Sequence, residues 1–241
     1  MSGTLSIYRR EVKSYFSTPL AYVFLVIFLA LAGFQTFRND FFLSGQASLA
    51  TFFEQVPFLL LLFVPAIAMR LWAEERKSNS IELLFTLPIT SAQAVLGKFL
   101  AAWTVLLLAL ALTFPMVLTV AWLGTPDRGP IIGGYLASLL LAGTFLAVGS
   151  FFSSLTRNQV IAFVLGVVAC GALYYAGSPA VLKWLSGAVA PAAAEFLENF
   201  SLQRLFESLG RGVVELRDLW FFAVITGGWL TGNVLVLDNH R

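Results

Sequence analysis

The sequence predicts an all-α integral membrane protein with six transmembrane helices. Three observations carry this. Of 241 residues, 59% are hydrophobic and 12% charged, against roughly 25% charged in an ordinary soluble domain. The apolar residues fall in long unbroken runs, near the roughly 20 residues a helix needs to cross a bilayer core. Within those runs apolar and polar residues do not alternate as they do along barrel strands.

The runs are 20–37, 57–72, 99–123, 131–155, 160–176 and 219–237. The second reaches spanning length if it starts near Phe52, drawing Glu54 and Gln55 into its first turn. The first is too long for a signal peptide and ends in Phe37-Arg38-Asn39-Asp40 without a small-residue cleavage site. The chain thus reads as one transmembrane domain over 1–241. A cytoplasmic interfacial helix fills 1–18, and spans one to five fill 19–176. An outer segment covers 177–218, and span six with a cytoplasmic tail covers 219–241. Basic residues are denser in the short loops on the side of the termini, so both termini are expected in the cytoplasm.

Three segments lie outside the spans. In the first, Leu5, Tyr8, Val12, Tyr15 and Phe16 recur at helical spacing, with Arg9, Arg10 and Lys13 elsewhere around the wheel. This pattern suits a helix lying at the membrane surface, ended at Thr18-Pro19. The second is a cytoplasmic loop over 73–98. It carries Glu74, Glu75, Arg76, Lys77, Glu82 and Lys98, and a short helix starting near Ser80 through Ile81, Leu83 and Leu84 and ended by Pro88. A solvated connector does not need so many apolar residues, so a soluble partner is expected to grip it. In the third, over 177–218, Phe196, Phe200, Leu205, Phe206 and Leu209 form a stripe expected to make interfacial or re-entrant helices before span six.

Absent motifs exclude several chemistries. There is no phosphate-binding loop, because Gly97-Lys98-Phe99 lacks both the earlier glycine and the following hydroxyl. No His/Cys/Asp/Glu group has metal-ligand spacing. The one histidine, His240, is at the tail, which leaves no serine–histidine relay. The net charge of +2 does not suggest nucleic acid, and no charge falls at the middle of a span, which argues against a proton-coupled carrier. Helix-packing features are present instead: Gly228 and Gly232 one turn apart, Gly143 with Ala147, and Pro65 and Pro115 as kink sites.

Met69-Arg70-Leu71-Trp72-Ala73-Glu74-Glu75-Arg76, Ser80-Ile81-Glu82-Leu83-Leu84-Phe85-Thr86-Leu87-Pro88 and Val95-Leu96-Gly97-Lys98-Phe99 together form a long specific motif. With Ser153-Ser154-Leu155-Thr156-Arg157-Asn158-Gln159, 206–213 and the opening 8–19, it resembles permease subunits of ABC-2 type transporters, most closely the gliding-motility-associated branch. The resemblance implies six spans forming half of an exporter in a bacterial inner membrane. It implies a second permease, the same chain or a related one, and a separate cytosolic ATPase. No cofactor is expected on this chain; ATP and Mg2+ belong to the ATPase. The surfaces that dock the ATPase are implied to be the N-terminal helix and the segment bearing Glu74, Glu75, Arg76, Ile81, Glu82, Leu83, Leu84 and Pro88. The alternatives are a membrane-embedded enzyme acting on lipid, for which no polar catalytic set is evident, and a non-transporting scaffold.

Overall fold

The computed structural model describes residues 2–38, 48–81, 89–178, 181–183 and 201–239. Among these the regular elements are helices, with no strand. Helix α1, Ser2–Ser17, ends where expected, and α2, Pro19–Arg38, begins on the proline, whose missing N–H costs nothing at a first helical turn. Helix α3, Ala50–Ala68, contains Pro57 and Pro65, and α4, Arg70–Lys77, follows almost without a gap.

The junction of α3 and α4 is held from outside the helix. The backbone N–H groups of Trp72 and Ala73 both donate to Ser153 Oγ at 3.1 Å. The Ser153 hydroxyl donates to the Met69 carbonyl at 2.9 Å. A side chain has entered the hydrogen-bond ladder where Pro65 and the turn at Met69 disturb it.

Helix α5, Ser91–Ala111, starts with a capping box in which the Gln93 N–H donates to Thr90 Oγ1 while the Gln93 side chain accepts from the Thr90 N–H. Thr113 and Pro115 then break the run, and α6, Phe114–Leu123, continues it. Asp127 caps α7, Arg128–Leu155, and Asn158 caps α8, Gln159–Tyr175. After these come α9, Leu202–Gly210, and α10, Leu216–Asp238.

Among the described residues, five stretches are long and apolar enough to cross a membrane: Ala21–Arg38, Ala50–Lys77, Ser91–Leu123, Arg128–Leu155 and Leu216–Asp238. The sixth expected span is the shorter apolar helix α8, 17 residues long. At 1.5 Å per residue it covers about 26 Å, short of a core of roughly 30 Å.

The described residues of the segment expected as a loop over 73–98 are mostly helical. Helix α4 runs on through Lys77, and α5 begins at Ser91, well before the expected start at Phe99. Ser153 and the Arg70–Glu74 pair extend the first, and the capping box extends the second. Asn79 turns the chain with a left-handed φ of 56°. Glu82, Leu83, Leu84 and Pro88 lie outside the described residues, as do Phe196 and Phe200.

Helices α3 and α7 form the centre. Small residues set their spacing, since a Cβ on Gly149 would stand 2.5 Å from the Ala68 Cβ. The packing pairs separate: Gly143 faces Trp103 and Ala147 is fully buried, whereas Gly232 meets the Phe151 ring and Gly228 has open space beside it. Around this centre, α2, α8 and α10 expose Val26, Val168, Val224 and Leu235. Such apolar outer surfaces suit lipid as solvent.

The ends of the bundle are sorted. Ser91 Oγ, at the start of α5, donates to Asp238 Oδ1 at the end of α10, and α1 lies against the same part of α5. At the far end, Gly212, with φ +86°, fits against the backbone of Gly129 and Pro130, where a Cβ would come within 2.7 Å of the Gly129 carbonyl carbon.

Candidate functional site: a charged seat joining α1, α4 and α5

Helix α1 is seated on α5 more closely than a surface anchor requires. Ile7 is buried and packs onto Gly97, whose absent side chain leaves room: a Cβ there would be 2.8 Å from Ile7 Cβ. Tyr8 Oη and Thr104 Oγ1 are 3.2 Å apart. Of the expected apolar stripe, Tyr8, Val12, Tyr15 and Phe16 are half-buried, but Leu5 is exposed. Arg9, Arg10 and Lys13 are exposed.

This contact brings Glu11 of α1 to Lys98 of α5, with Glu75 of α4 arriving from the third side. The Lys98 side chain is only 4% exposed. Its ammonium lies 2.7 Å from Glu75 Oε1 and 3.4 Å from Glu11 Oε1, and 5.1 Å from the centre of the Trp72 ring, over its face. Arg10 closes the cluster, 2.8 Å from Glu11 Oε1 and 3.7 Å from Glu75 Oε1. Two carboxylates and two cations thus balance. Burial alone raises the Glu11 carboxyl, but Lys98 and Arg10 outweigh it and hold the group below its ordinary range. Beside the cluster, Arg70 holds Glu74 by two hydrogen bonds of 2.8 and 3.2 Å. Burial first, then the Glu11 charge, pushes the Tyr15 hydroxyl upward.

Of the residues expected to couple to a partner, Glu75 is therefore engaged within the chain, although its Oε2 is buried with no hydrogen-bond partner. Glu74 is exposed at the rim, and Ile81 is half-buried against the core. Arg76 differs from both. Its Nε and Nη2 are buried without a hydrogen-bond partner, and the nearby Arg157 adds like charge.

Sequence reasoning placed Lys98 only as one more loop charge and gave Glu11 no role. Both had a signal, because each stands at the edge of an apolar surface where an unpaired charge is costly. It also missed the buried polar line behind the seat. Ser150 Oγ accepts from Trp72 Nε1 at 3.1 Å and from Asn233 Nδ2 at 2.7 Å, tying α4, α7 and α10 together.

A multi-pass, all-helical membrane protein whose terminal helix is ion-paired to the start of its third long helix is the class these features define. The chain belongs to the ABC-2 transporter family: the family model described as "ABC-2 family transporter protein" matches residues 33–235. Helix α1 lies outside that match. No curated protein matches the chain. Family membership makes this the membrane-embedded permease type of subunit in an ABC transporter.

Proposed function

We propose that the chain is the permease subunit of an ATP-driven exporter, coupled to a separate cytosolic ATPase through the 78–90 segment and its flanking helices. The observation that carries this is the seat itself: α4 and α5 flank the segment, and Glu75–Lys98–Glu11 ties both to α1. A push on the segment is transmitted to the bundle as a rigid-body motion rather than absorbed by a slack loop. Arg76 supports the same reading, because with the nearby Arg157 it makes a partly exposed cationic pair that suits a carboxylate supplied by another protein.

On this reading α8 also crosses the bilayer, giving six spans, with the chain ends and the 78–90 segment in the cytoplasm of a bacterium. Two permeases pair, each with an ATPase. ATP-driven closure of the ATPases rocks the pair between inward- and outward-open states. The sequence motifs favour the gliding-motility-associated branch. Co-purification with the ATPase tests this. Glu82→Ala and Arg76→Ala are expected to insert normally and to weaken ATPase association by at least about tenfold, or 1.4 kcal/mol. Unchanged association and transport in both variants would show that the segment is only a connector.

A further inference from the structure

At the end of the bundle opposite α1, a cavity of ≈ 600 Å³ opens between the starts of α3 and α7, the end of α8, and α9. That size is typical of ligand pockets, which run roughly 300–1,000 Å³. Aromatic rings form much of its wall. Tyr174 and Tyr175 meet edge to face with centroids 4.9 Å apart, making a corner, and Phe53 and Phe206 stand on other sides.

The charged groups in the cavity are mostly acidic. Glu54, Asp127 and Glu207 contribute three carboxylates against the single guanidinium of Arg211. The Gln203 amide donates to Glu207 Oε1 at 3.0 Å, which fixes its orientation and leaves its Oε1 buried with no partner. An excess of negative charge between aromatic walls suits an organic cation, which brings positive charge and an apolar body. Ammonium groups bind over aromatic faces for the same electrostatic reason.

We infer that this cavity binds an amphiphilic organic cation. Calling that ligand a cargo rests on the exporter reading; its binding does not. The cation could be a free amphiphile or the amine headgroup of a lipid, since the recognising chemistry is shared.

Purified protein in an uncharged maltoside detergent, without ATPase, is titrated with radiolabelled tetraphenylphosphonium. Short-chain phosphatidylethanolamine serves as competitor, and radiolabelled tetraphenylborate, the isosteric anion, is titrated separately because the two ions precipitate together. Saturable binding is expected for the cation and not for the borate. Displacement by phosphatidylethanolamine assigns the site to a lipid amine, and its absence to a free cation. In the triple variant Glu54→Gln/Asp127→Asn/Glu207→Gln, where asparagine still caps α7, affinity is expected to fall at least tenfold. Half-exposed Tyr175 gives a second variant pair: Tyr175→Ala weakens binding and Tyr175→Phe does not. Equal binding of cation and anion overturns the inference, as does unchanged affinity in both the triple variant and Tyr175→Ala. Failure here leaves the exporter reading standing, and failure of ATPase association leaves the binding result standing.

Discussion

Lys98 survives 4% exposure because two carboxylates and an indole face converge on it from two other helices, α1 and α4. Removing one member of such a buried set is costly, about 3–5 kcal/mol, because the other members keep their desolvation without their partner. Lys98→Met is expected to destabilise by about that much, read as thermal unfolding in detergent. Lys98→Met combined with Glu75→Gln should cost less than the two single changes added; simple additivity would show that the pair is not coupled. The pH dependence follows from Glu11, whose folded value is held below the ordinary 4.5. A carboxyl lowered on folding contributes stability that is fully present above its unfolded value and is lost as pH falls through its folded one. Loosening of α1 is therefore expected below pH 4.5 and not in the neutral range, measurable as proteolytic release of the N-terminus. Ser153 is the other residue of this rank. Ser153→Ala leaves the Trp72 and Ala73 N–H groups buried without an acceptor, at about 1–3 kcal/mol.

At the scale of elements, α1 shows what a helical wheel conveys and omits. Its basic face and its end before Pro19 were legible, because charge and proline act along the chain. Of the stripe, Tyr8, Val12, Tyr15 and Phe16 turn inward and Leu5 does not, while Ile7, outside the stripe, is buried because Gly97 of another helix makes room for it. Gly97→Ala places a Cβ 2.8 Å from Ile7 Cβ and 3.0 Å from the Thr4 carbonyl. Overpacking of this kind costs about 1–3 kcal/mol. Proteolytic release of the N-terminus in detergent should therefore be faster in Gly97→Ala than in the parent. Equal rates would mean that α1 does not depend on this contact. The break between α5 and α6 was foreseen at Pro115, and the structure adds that Thr113 Oγ1, in the broken turn, bonds to Tyr135 Oη at 2.8 Å.

For the whole molecule the number of bilayer crossings turns on α8. Helix α8 is short, yet α9 and Gly212 return to the beginning of α7, and Tyr175 and Asp127 line one cavity. That geometry requires α8 to run back along α7. Trp122, 91% exposed, and Trp220 lie toward this same end, where tryptophan suits a membrane–water boundary. Single cysteines replacing Asp127 and Ser208 in a background lacking Cys170 should react with an impermeant thiol reagent from one face. A cysteine replacing Ser78 should react only from the other. Labelling of Asp127 and Ser208 from opposite faces would remove α8 from the list of crossings. Native mass spectrometry of the active complex is expected to find two permeases; the open space beside Gly227 and Gly228 on α10 leaves one outer face free to pair.

The sequence by itself determined the class, the long apolar runs, the breaks at Pro19 and Pro115, and the family. It also carried the Thr90–Gln93 spacing that starts α5 and the Asp127 that caps α7. All of these are written along one strand of chain, in composition and near-neighbour chemistry. Tertiary structure decided that Lys98 lies between Glu11 and Glu75, that Ser153 enters the α3–α4 junction, and that four helices leave a cavity lined with carboxylates. The reason is physical. An apolar helix in lipid is hydrophobic around its whole circumference, so hydropathy fixes its length but not its rotation. Rotation is set by where small residues let helices approach and where buried polar groups find partners on other helices.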